Sequence, residues 1–396
     1  MSRVLIHNAD IVTGAADGER VRDGAMVVAD GEFVEVGAAG QLRDSTADTT
    51  VDLGGRVVIP GLWDAHIHLG SLVPPNEDEL SAQDPRHHMG RCIGKAQDNL
   101  RWGITTVRSL GERDGADVLV RDLIAAGAVH GPRVLAAGDV RWSVTATGVN
   151  TWRRHVRERA LAGVDTIKLL ITGGIPFRGG ITSPTGNRAE VEAAITEAHA
   201  WGYPVAVHAM GDDAVTMAAE CGADTIEHAF GCTPAVAEVM AATGVTFSPN
   251  LAVTEQWTPG EITHRCLPDW MGRNAADARR GHHETFAAAV ELGVPIIAGV
   301  DNLPKDAGDY GIERVGSVPG LVVELQLMHR LGLTPYQALM AATANVAAAS
   351  GCSDSVGTIT AGTAADFVVL DADPLVSLEN LTAVHSVWQA GTRTVM

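Results

Sequence analysis

Between residues 62 and 301, short apolar runs alternate with Ala-rich stretches of helical period, and this rhythm limits the possible folds more than any other feature. The runs fall at 62–69 (LWDAHIHL), 104–110, 133–138, 166–172, 204–209, 225–229, 246–250 and 295–301. They are nearly continuous in apolar residues, as strands covered on both faces must be. Eight such strand–helix units predict an α/β chain built on a (β/α)8 TIM barrel, spanning residues 57–352. An open doubly wound sheet is the alternative, but no G-x-G-x-x-G follows any of the runs.

The two ends read differently. Residues 1–56 and 353–396 hold short β-branched runs separated by turn residues such as Asp-Gly. Neither end has enough strands to close a core alone, so the two are predicted to pair into one small composite β-sandwich domain. The formal net charge of −19 argues against a nucleic-acid or anionic-membrane partner. Five scattered cysteines without a C-x-x-C pair, and no run near the ~18 apolar residues of a membrane span, predict a cytoplasmic protein that acts on a small molecule.

Chemistry concentrates where the runs end. A chain with 15 histidines contains about 0.6 His-x-His pairs by chance, so His66 and His68 alone are a weak motif. Their setting says more. Residues i and i+2 of a strand share a face, which in a barrel strand is the interior. Lys168 interrupts the otherwise apolar fourth run, while His208, His228 and Asp301 stand at the ends of the fifth, sixth and eighth. These are the C-terminal ends, where barrel enzymes build their sites. Burying six polar groups together is costly without a shared partner.

Two divalent metal ions would be that partner. His66, His68 and Asp301 would hold one and His208 and His228 the other. A buried lysine has a depressed pKa, so Lys168 as neutral amine could take up CO2 and bridge the ions as a carbamate. A hydroxide shared by the ions would attack a carbonyl, with Asp301 moving the proton to the leaving group and His228 steadying the oxyanion. Zinc is the first expectation; manganese, cobalt and iron also suit these ligands. Loop residues Arg178, Trp142, His264, Tyr310 and His88 are the candidates for touching substrate. Otherwise the pairs His87–His88 and His282–His283 read as solvated, and Asp64 as a strand-end hydrogen bonder.

In this ordered set, and in the stretches GPRVLAAG, IKLLITGG, ADTIEHA and GTITAGTAADFVVLDADPL, the chain resembles the amidohydrolase superfamily. The resemblance is to its prolidase-like and imidazolonepropionase-related branch. It implies a hydrolase that cuts an amide C–N bond in a dipeptide, an N-acyl amino acid or a cyclic amide, and it implies a homo-oligomer. The same centre could cut a lactone, ester or carbamate. A mononuclear deaminase would have no use for Lys168 and would want a glutamate beside the later histidines. Glu227 directly precedes His228, so strand alternation predicts that it faces away. A non-catalytic scaffold would be expected to lose ligands, and all six are present.

Overall fold

The computed structural model describes residues 3–42, 46–70, 84–256, 269–303 and 311–394. Strands from both chain ends share one seven-stranded sheet. From the N-terminal side come β1 (Arg3–Val12), β2 (Arg20–Ala29), β3 (Glu32–Ala38) and β4 (Thr49–Pro60). The middle of the chain supplies β5 (Leu62–Ile67), β6 (Ile104–Ser109), β7 (Arg133–Ala136), β8 (Ile167–Leu170), β9 (Val205–Ala209), β10 (Thr225–His228) and β11 (Thr246–Ser248). A small hairpin, β12 (Arg314–Val315) and β13 (Val318–Pro319), precedes β14 (Phe367–Leu370), β15 (Val384–Gln389) and β16 (Thr392–Arg393).

The seven-stranded sheet runs in the order β16-β15-β14-β4-β1-β2-β3. Its join is β4, which is parallel to β1 on one side and antiparallel to β14 on the other, with Val57–Pro60 opposite Leu370–Phe367. The sheet curls: Phe33 on β3 lies 5.9 Å from Phe367 on β14, and the Phe33 amide donates to the Thr363 carbonyl at 2.9 Å. Ile6, Ile11, Met26, Phe33, Val58, Phe367 and Trp388 fill the space between, so burial of residues from both ends holds them together.

The middle segment forms two parallel sheets, β5-β6-β7 and β11-β10-β9-β8, with helices between successive strands. Residues 295–301, expected as an eighth strand, make single bridges instead: Ile296 to Phe247 of β11, and Asp301 to Ile67 of β5. The reason is local. Pro295 has no amide hydrogen to donate. The Ala298 amide donates to the Ala341 carbonyl at 2.7 Å and the Val300 amide to Asp64 Oδ1 at 3.0 Å, so neither feeds a ladder. Asp64 also accepts from the His66 amide at 3.1 Å, the strand-end role its position predicts. Among the described residues no helix is long and apolar enough to cross a membrane.

Candidate metal centre

The ends of β5, β8, β9 and β10 and the segment at 301 bring the six expected side chains to one place. Ring centroids run His68 to His66 at 5.4 Å, His66 to His228 at 4.9 Å, and His228 to His208 at 4.6 Å. His66, His228 and Lys168 are buried; His68, His208 and Asp301 are partly so.

Three acceptors fix three tautomers. A carboxylate or carbonyl oxygen can only accept, so the ring nitrogen facing it carries the proton. His66 Nδ1 donates to Glu227 Oε2 at 2.8 Å, His68 Nδ1 to the Gly111 carbonyl at 2.7 Å, and His208 Nε2 to the Gly173 carbonyl at 2.6 Å. This leaves bare lone pairs on His66 Nε2, His68 Nε2 and His208 Nδ1. The first two face Asp301 Oδ1 at 3.7 and 3.4 Å. Lone pairs aimed at a carboxylate repel unless a cation lies between them. Two ligands of one zinc ion at ordinary bond lengths stand about 3.3 Å apart, close to the spacing found. Donor atoms of His66, His68 and Asp301 all lie within 4.8 Å of one another. The side chains present therefore fit a divalent cation.

Burial is the largest influence on these groups. It lowers His208 to about 3 and holds His66 and His228 well below the usual imidazole range, with the Lys168 charge adding to the effect at each. Neutral imidazoles are what metal binding requires. Burial also brings Lys168 down to about 8, against the pull of Glu227 and Asp301, and raises Asp301. Lys168 Nζ and His228 Nδ1 are out of contact with solvent and have no hydrogen-bond partner.

Sequence reasoning missed two charged residues. Glu227 does not face away: its carboxylate meets His66, and Oε1 accepts from Arg108 Nη2 at 2.7 Å and Thr225 Oγ1 at 2.6 Å. Strand alternation fails here because the chain turns left-handed at His228 (φ 78°) and Ala229 (φ 49°). Arg108, on β6, also donates from Nε to the Ala65 carbonyl at 2.7 Å, so one guanidinium links β5, β6 and β10. The signal available was the pair of full charges inside two apolar runs.

The proposed substrate contacts divide. Arg178 is exposed, with its guanidinium 5.2 Å from the centre of the Trp270 ring. Trp142 is buried and stacks on His155 at 5.1 Å, edge-on to Trp152. His88 sits in the helix Pro85–Arg101, not a polar loop, and faces Glu112 at 3.1 Å. His282 is buried rather than solvated, held by Thr254 Oγ1 at 2.9 Å and the Pro249 carbonyl at 3.0 Å. His264 and Tyr310 lie outside the described residues.

A family model described as "Amidohydrolase family" matches residues 57–396. The chain belongs to the amidohydrolase family. Ochratoxinase of Aspergillus niger is 26% identical over 95% of this chain and 83% of its own length. Imidazolonepropionase of Symbiobacterium thermophilum is 27% identical over 93% and 90%. Among solved structures, a Xaa-Pro dipeptidase with bound methionine superposes with a TM-score of 0.88 at 24% identity, covering 99% of this chain and 100% of that one. The fold is accordingly of the TIM-barrel type, and this amidohydrolase is a hydrolytic enzyme.

Proposed function

We propose that this amidohydrolase uses a pair of divalent metal ions to hydrolyse an amide C–N bond in a dipeptide, an N-acyl amino acid or a cyclic amide. The observation that carries the reading is Lys168. It is a buried amine without a partner, among four imidazoles and a carboxylate. A lone ammonium there would be repelled by a cation, whereas its carbamate is an anion with two oxygens. The free amine attacks CO2 at carbon, a C–N bond forms, and the amine proton leaves to solvent.

In this reading His66, His68 and Asp301 would hold one ion and His208 and His228 the other, with the Lys168 carbamate available to both. Such ions supply hydroxide near neutral pH and polarise a carbonyl. Asp301, raised by burial, accepts the proton of the attacking water on its carboxylate and passes it to the departing nitrogen. An amine leaves poorly without that proton. His228 steadies charge on the former carbonyl oxygen. The deaminase reading gains no support from the inward turn of Glu227, because His66, Arg108 and Thr225 occupy both of its oxygens.

The same proposal covers the architecture: eight strands closing as a (β/α)8 barrel, with the curled seven-stranded sheet as the composite sandwich. The four free cysteines among the described residues support a reducing, cytoplasmic setting.

The test is a screen of dipeptides, N-acyl amino acids, lactones, esters and carbamates with zinc-loaded protein and Lys168→Ala in parallel. Amide turnover that depends on bicarbonate and falls by several orders of magnitude in Lys168→Ala is expected. Full activity in Lys168→Ala rejects the carbamate; turnover of esters or lactones alone rejects the amide assignment.

A further inference from the structure

A second group of ligand-type side chains lies against the segments that flank His68. His88 and Cys92 are one helical turn apart on the helix Pro85–Arg101, so they share a face. Glu112 follows β6 and is buried beside them. Donor atoms of the three lie within 4.8 Å of one another.

Two features separate this group from an ordinary ion pair. His88 Nε2 and Glu112 Oε2 are 3.1 Å apart and shielded from solvent, yet neither makes an aligned hydrogen bond. That separation is close to the ~3.3 Å between two ligands of one zinc ion. Glu112 is also fixed from its other oxygen, Oε1, which accepts the Gly70 amide at 3.0 Å and leaves Oε2 directed at the cluster. Glycine at 70 is what lets the group close. A Cβ there would stand 2.5 Å from Cys92 Sγ and 2.5 Å from His88 Cε1.

We propose that His88, Cys92 and Glu112 form a structural site for a zinc-like divalent ion, separate from the candidate catalytic centre. One sulfur, one nitrogen and one oxygen donor suit zinc and its neighbours and do not suit calcium or magnesium. Without a cation, burial holds Cys92 as a neutral thiol. Binding transfers the thiol proton to solvent and leaves a thiolate on the ion. The consequence is mechanical. His68 Nδ1 donates to the carbonyl of Gly111, the residue before Glu112, and Gly70 lies two residues beyond His68. An ion here ties together both segments that aim His68.

The test titrates Co2+ into chelator-treated protein and into Cys92→Ser. Wild type is expected to bind one more equivalent than the variant, with a thiolate-to-cobalt charge-transfer band in the near ultraviolet that Cys92→Ser lacks. The proposed catalytic ligands include no sulfur, so this band is silent about them, and the count is a difference that holds whatever they bind. Equal stoichiometry, no band, or a band that survives in Cys92→Ser overturns the proposal. Should Cys92→Ser lose its native circular dichroism, His88→Gln carries the same expectations, because it removes a half-buried ligand and leaves the thiol in place.

Discussion

Three of the candidate ligands, His66, His68 and His208, are each aimed by a partner that leaves one ring nitrogen bare, and His66 shows this best. Its Nδ1 is committed to Glu227; burial is the largest single influence on that carboxyl and opposes its ionisation, but Arg108, the hydrogen bond from His66 and Lys168 together hold it below the usual carboxylate range. Partners of this kind set ligand orientation and basicity, and their loss weakens metal binding by about 10–100-fold. Glu227→Gln is therefore expected to lose metal to a competing chelator at roughly that ratio, and restoring the carboxylate as Asp recovers part of it. An unchanged metal affinity would show that Glu227 serves only packing. The six candidate ligands stood out in the sequence because each interrupts or ends an apolar run at a barrel-type C-terminal edge. Glu227 did not, because alternation assumes an extended backbone and the chain leaves that region at His228.

At the level of elements, the segment 295–301 does most to position the centre, and it is the element that departs furthest from the sequence expectation. It carries Asp301 against β5 through an amide that donates to the His66 carbonyl at 2.6 Å. Gly299 is what permits this approach: a Cβ there would stand 2.6 Å from the His66 Cβ and 2.7 Å from its amide nitrogen. Backbone cannot swing aside as a long side chain can. Gly299→Ala is expected to push the segment away from β5, cost about 1–3 kcal/mol of stability, and separate Asp301 from His66 and His68. Thermal unfolding reads the first effect and chelator competition the second. If both match wild type, the close approach does not matter to the centre. Apolarity alone predicted a strand here. It could not reveal that Asp64 and the Ala341 carbonyl would accept the Val300 and Ala298 amides that a ladder would need.

Across the whole molecule, the pairing of the two chain ends was foreseeable from their lack of strands, but the charges that fasten them were not. Arg20 on β2 donates from Nε and Nη2 to both oxygens of Asp10, each at 2.7 Å, and Nη2 lies 2.8 Å from Asp373 beyond β14. The hydrogen bonds from Arg20 lower the Asp10 carboxyl below its usual range, against a smaller opposing effect of burial. The sign of the pH dependence follows. A carboxyl whose pKa is lower folded than unfolded contributes its full stabilisation above the unfolded value, about 3.9, and loses it as pH falls through the folded value. At its maximum a partly exposed pair of this kind is worth about 1 kcal/mol, or about 1–2 °C in a chain this long. The melting-temperature gap between wild type and Arg20→Gln should therefore be flat from pH 7 to about 5 and narrow steadily below about pH 4. Arg22→Gln removes an equal charge from a side chain 76% exposed and 3.6 Å from Asp10, and should leave the profile almost unchanged. A gap that stays constant to pH 3, or an equal effect from Arg22→Gln, would show that the Arg20–Asp10 pair adds nothing specific to stability.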